Sequence, residues 1–176
     1  GAMTQMLPVL AGVKIAKVDL VTKISHALLV AGTLFMIFGM YNSVSKLTLA
    51  ASVLLGAGFL IMIVSMLLAF RGVVHVTASV RAMITSLVFA FIIVLMGMHL
   101  FSSYGIGKFS SHHLLFFFFY SVWATFGFAG VLIIGAAFHV LPMFYVAPRF
   151  KKFCKQKVVW LITIGLILWL LLNIFA

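Results

Sequence analysis

Long apolar runs make up most of the chain, and short polar or basic segments separate them. An apolar helix needs about 20 residues to cross the hydrocarbon core of a bilayer, and runs near this length indicate transmembrane helices. The pattern predicts five transmembrane spans, at about residues 24–40, 47–70, 82–101, 112–143 and 158–174.

Small residues recur inside two of these runs. The second run contains Ala50, Ala51, Ser52, Gly56 and Gly58, and the fourth contains glycines and alanines at 127–130 and 135–137. Small residues let helix backbones approach closely where lipid tails give no hydrophobic drive for association. We therefore expect helix–helix contacts along both stretches.

The overall composition fits only a membrane protein. Apolar residues make up 66% of the chain and charged residues 7%, with Asp19 as the single acid. A water-soluble domain of this size has no means of keeping so much apolar surface out of water. The predicted fold class is an all-α, polytopic membrane helical bundle that forms one membrane domain over residues 1–176.

The basic residues fall on alternate sides of the predicted spans. The segments before residue 24, at 71–81 and at 148–157 hold ten of the 12 Lys and Arg, and the loops at 42–46 and 102–111 hold two. Such a bias places the richer side in the cytoplasm. We expect a bacterial cytoplasmic membrane, a cytoplasmic N-terminal segment and an outward C-terminus. The charge of +11 then reflects topology and lipid contact, and we predict no nucleic-acid partner.

A nine-residue motif occurs twice, at residues 1–9 and 135–143. The two copies share Gly, Ala, Leu and Pro, place Gln5 opposite His139, and continue into basic segments. A chance match is the alternative, as is a cloning scar at Gly1 to Met3. Both copies end helices at the same face, four spans apart, which predicts a parallel four-helix repeat unit. On this interpretation the chain is a piece of a longer repeated protein.

The predicted repeat resembles the architecture of a known family. Four-helix units around a pseudo-threefold axis resemble the twelve-helix subunit I of the haem–copper oxidases. The haem- and copper-containing membrane proteins of the bacterial nitrogen-oxide response share this resemblance. In these families an inward-running helix ends in small residues, an aromatic or polar residue, and a proline. The segments 135–148 and 5–13 are similar to that ending. The resemblance implies respiratory electron transfer or gas response, with a redox partner or another membrane subunit.

Three histidines near one end of the third and fourth spans are the candidate cofactor ligands. His99 lies near the outer end of the third span, and His112 and His113 begin the fourth. Imidazole is a sound axial ligand for haem iron and a good ligand for copper. The resemblance also implies a histidine inside the fourth span, but residues 120–123 are Tyr, Ser, Val and Trp.

The alternative interpretation needs no cofactor. Histidines at the membrane interface occur without ligand roles, Ser110 and Ser111 are natural caps for the fourth helix, and the aromatic run 116–120 also suits packing. His139 and Gln5 suit a structural hydrogen bond between helices. The second hypothesis is therefore a metal-free transport or structural subunit. Absence of acids within the spans weakens proton-coupled transport. No catalytic residue is predicted, because the chain has no hydrolase or phosphate-loop motif.

Overall fold

The computed structural model describes residues 8, 12–13, 17–73, 76–107, 113–144 and 152–175. The helices are α1 Val18–Tyr41, α2 Ser45–Ala69, α3 Ala78–Ile106, α4 His113–Val122, α5 Val131–Phe144 and α6 Lys152–Phe175. A 3₁₀ turn, Phe70–Gly72, follows α2, and a π-helical segment, Trp123–Gly130, joins α4 to α5 in one continuous run. Over these ranges the structure contains no strand, so the all-α prediction is confirmed.

Four of the helical stretches are long and apolar enough to cross a membrane. They are Val18–Tyr41, Ser45–Gly72, Ala78–Tyr104 and His113–Leu141, and each overlaps a predicted span. The apolar part of α6, Lys157–Asn173, is shorter. The structure therefore supports the prediction of a helical membrane protein, with four candidate spans. The fifth span and the four-helix repeat remain predictions, and most of the repeat's first copy lies outside the described residues.

Helices α1, α3 and α6 extend into polar sequence beyond their predicted apolar runs. Helix α1 starts at Val18, with Asp19 in its first turn, where a negative charge suits the helix dipole. Helix α3 starts at Ala78, where the hydroxyl of Thr77 accepts the N–H of Val80 at 3.3 Å. It ends at Ile106, and the following Gly107 has a φ of +68°, the left-handed conformation that commonly closes a helix.

Helices α1 and α2 form a close antiparallel hairpin. Ser25, Gly32 and Gly39 are buried and recur every seven residues along α1. A Cβ added to Gly32 would stand 3.0 Å from the backbone nitrogen of Leu55 on α2. On the α2 side, a Cβ added to Gly58 would stand 3.1 Å from the side chain of Leu29, so the expected helix contact along the second span is confirmed.

Residue contacts divide the chain into two compact units. One comprises Ile15–Ala69 and Phe91–Tyr120, and so contains the α1–α2 hairpin, the second part of α3 and most of α4. The other comprises Gly1–Lys14, Phe70–Ala90 and Ser121–Ala176.

In the second unit, the first part of α3 contacts the small-residue stretches of the fourth helical run. Ala82, Val131 and Val159 form a buried cluster. A Cβ on Gly127 would stand 2.7 Å from the ring of Phe89. The predicted contact surface at 127–130 and 135–137 is therefore in place, since Gly135 also lies against Ala82.

Candidate functional site

Residues of α3 and α4 meet in three pairs within the unit that contains the hairpin. Tyr104 contacts His113, and His99 contacts Phe116. Further along both helices, a Cβ on Gly97 would stand 3.3 Å from the ring of Tyr120. Later positions of α3 thus meet earlier positions of α4, so these two segments run antiparallel. We call His99, Tyr104, His113 and Phe116 the histidine–aromatic cluster.

His113 is the first residue of α4 and is half-buried. Its imidazole meets the phenol ring of Tyr104 with ring centroids 5.4 Å apart and an interplanar angle of 74°. Edge-on contacts at this separation are among the favoured arrangements of aromatic pairs. The contact places one imidazole of the predicted ligand set at the meeting point of two helices.

His99 lies one helical turn before Ser103 on α3, and its side chain is exposed. The ring is tilted by 58° against Phe116, with centroids 5.9 Å apart. Its backbone carbonyl accepts the hydroxyls of Ser102 and Ser103 at 2.8 and 3.0 Å. These two serines were expected in a loop, but α3 continues through them and both hydroxyls bond within the helix.

His112 lies outside the described residues, so two of the three predicted ligands are placed. Within the described ranges, no three His, Cys, Asp or Glu side chains come together in a group that would hold a metal ion.

Two further histidines, His26 and His139, lie on other helices of the described ranges. The side chain of His26 is exposed on α1, and that of His139 is exposed on α5. The expected hydrogen bond from His139 to a neighbouring helix stays a prediction, as does its equivalence with Gln5. His75 and Gln5 lie outside the described residues.

Sequence reasoning missed Tyr104 because it assigned residues 102–111 to a loop. The signal was available: Gly105 and Gly107 mark a tight connection, which brings residues on either side of it together. It also missed the environment of Trp123, which is 9% exposed and meets Phe89 edge-on, with centroids 5.4 Å apart. The Trp123 indole N–H has no acceptor among the described residues.

No family model, curated protein or solved structure matches this chain. The four apolar candidate spans support a helical membrane protein. A more specific function has to be inferred from the histidine–aromatic cluster.

Proposed function

We propose that this chain is a membrane-spanning subunit that binds haem through the histidine–aromatic cluster and serves respiratory electron transfer or gas response. The contact between His113 and Tyr104 is the observation that carries the proposal. It supports haem because it places a half-buried imidazole where α3 and α4 meet, against the phenol ring of Tyr104. Imidazole is the axial ligand that many haem proteins use.

The residues around the cluster suit a large, flat, apolar group. Phe116, Phe117 and Phe118 are exposed on α4, and Leu114 beside them is exposed too. Aromatic and aliphatic side chains exclude water from a bound porphyrin, and this controls the redox potential and ligand access of the iron. His99, His112 and His113 are the proposed ligand set, and haem bound there would supply a one-electron centre or a gas-binding iron.

The proposed setting is a bacterial cytoplasmic membrane. Five spans, with α6 as the fifth, would place the N-terminal segment in the cytoplasm and the C-terminus outside. The cluster would then lie towards the outer face. The proposed oxidase-like architecture adds a parallel four-helix repeat and a redox partner or other membrane subunit. The distribution of basic residues and the repeated motif support this arrangement.

A metal-free structural or transport subunit is the second candidate. The observation that favours it is that each placed histidine already packs against an aromatic ring of the opposite helix. An imidazole held in this way contributes to helix association without any ligand.

A reduced-minus-oxidised spectrum of the purified full chain distinguishes the two candidates, together with elemental analysis for iron and copper. The proposal predicts Soret and α bands and iron in stoichiometric amount. Substitution of the cluster histidines by Ala removes the bands, and the matched controls His26→Ala and His139→Ala keep them because both side chains are exposed elsewhere. A colourless, metal-free preparation would leave the second candidate.

A further inference from the structure

The two compact units of the chain differ in charge. The unit made of residues 1–14, 70–90 and 121–176 contains eight of the 12 Lys and Arg and no Asp or Glu, and we call it the basic unit. The single acid of the chain, Asp19, belongs to the other unit. The basic unit therefore has no acidic side chain of its own with which its Lys and Arg could pair.

Arg81 is the base of this unit that lies closest to the apolar core. It belongs to the first turn of α3, between Val80 and Ala82, which are both fully buried. The Arg81 side chain is half-buried and forms no ion pair or hydrogen bond with a described residue, Asp19 included. A charged group that is partly withdrawn from water is costly unless an opposite charge accompanies it. The counter-charge of Arg81 therefore has to come from another molecule.

Neighbouring residues indicate the level of Arg81 in a membrane. Ala82 and Val159 belong to one buried cluster, so the residues next to them in the chain, Arg81 and Trp160, lie at one level of the basic unit. Trp160 is 57% exposed, and tryptophan is enriched where the apolar interior of a membrane meets its headgroups. Arg71, in the 3₁₀ turn that comes just before α3 in the chain, is exposed too. Arg81 thus lies at the level where lipid headgroups are found.

The chemistry of these side chains suits a phosphate group. The planar guanidinium of arginine donates two parallel N–H···O bonds to a phosphate, which a phospholipid headgroup supplies at this level. The excess of bases over acids favours a headgroup of net negative charge, because the cationic part of a zwitterionic headgroup would be repelled.

We propose that the surface that carries Arg71, Arg81 and Trp160 binds the headgroup of an anionic phospholipid, with Arg81 paired to its phosphate. This surface is separate from the histidine–aromatic cluster, so the inference does not depend on haem binding.

Native mass spectrometry of the full chain in detergent, with added phosphatidylglycerol or phosphatidylcholine, measures the binding of each lipid. The wild-type chain should retain phosphatidylglycerol in preference to phosphatidylcholine. Arg81→Gln should weaken phosphatidylglycerol binding about fivefold or more, the effect of losing one base near an anionic surface, and Arg81→Lys should weaken it less. Lys46→Gln is the matched control, because it removes an exposed base from the first turn of α2 in the other unit and should leave the affinity unchanged.

Fluorescence quenching gives a second measurement that holds even if Arg81→Gln does not fold. Brominated phosphatidylglycerol should quench the tryptophan fluorescence of the wild-type chain more than brominated phosphatidylcholine does. This difference should disappear in Trp160→Phe and shrink in Arg71→Gln, and both replaced side chains are exposed.

Three results would overturn the proposal. One is equal retention of the two lipids by the wild-type chain, and another is an equal loss of affinity in Arg81→Gln and Lys46→Gln. The third is displacement of bound phosphatidylglycerol by an equal concentration of inorganic phosphate at constant ionic strength, which would make free phosphate the ligand instead of a lipid.

Discussion

The backbone nitrogen of Thr48 lies 2.9 Å from the point where a Cβ on Gly39 would stand. The hydroxyl oxygen of Thr48 is equally close. Neither helix has room for a methyl group here, and a backbone atom is unable to move aside as a flexible side chain would. The α1–α2 hairpin therefore depends on glycine at this position.

Gly39→Ala should destabilise the chain by about 1–3 kcal/mol, the usual cost of adding atoms to a tightly packed contact. Unfolding of the purified chain in detergent, followed by circular dichroism, measures the effect. Gly165→Ala is the matched control, because no heavy atom lies within 4 Å of its added Cβ. Equal unfolding midpoints for Gly39→Ala and Gly165→Ala would contradict the close contact between α1 and α2 at Gly39.

The contact between Gly127 and Phe89 predicts an energetic coupling. Gly127→Ala should destabilise the wild-type chain, because its Cβ would stand 2.7 Å from the aromatic ring. In a Phe89→Leu background the smaller side chain leaves space, so the same substitution should cost less. A double-mutant cycle should give a coupling of about 0.5–3 kcal/mol. Additive effects of the two substitutions would contradict the contact.

Trp123→Phe should have a small effect on stability. The substitution removes buried ring atoms, which costs energy, but it also removes an indole N–H that has no acceptor among the described residues. An unpaired buried donor costs about 1–3 kcal/mol, so the two effects oppose each other. Trp123→Ala should instead lose about 3–5 kcal/mol, the range for deleting a large core side chain. A loss in Trp123→Phe as large as in Trp123→Ala would mean that the N–H makes an important bond.

Hydrophobic patterning predicted the positions of the helices well because helix length and apolar composition decide which segments enter a bilayer. Patterning located the ends less well. It places the boundary of α1 after Lys23, since charges lower hydropathy, yet the helical backbone extends back to Val18. Long basic side chains near a helix end reach towards water, so their charge need not end the helix.

The π-helical segment at Trp123–Gly130 was beyond prediction from the sequence. The change from i→i+4 to i→i+5 hydrogen bonds depends on packing around the segment, and composition does not encode it. Phe89 lies against both Trp123 and Gly127 within this segment. The small residues predicted a contact surface there, but not the altered backbone.

The candidate site was predicted only in part. The short connection after α3 indicated that His99 and His113 would lie near one another on adjoining helices. The sequence pattern carried no information on ring orientation, so the contact between Tyr104 and His113 had to come from the structure.

In the proposed topology the helices cross a membrane with the His113 end outward. Paired topology reporters test it most directly: alkaline phosphatase, which is active only outside the cytoplasm, and green fluorescent protein, which matures only inside. Each is fused after Gly107 and, in separate fusions, after Ala176. We expect high phosphatase activity and no fluorescence at both positions. Fluorescence after Gly107 would contradict the claim, and fluorescence only after Ala176 would reduce the chain to four crossings.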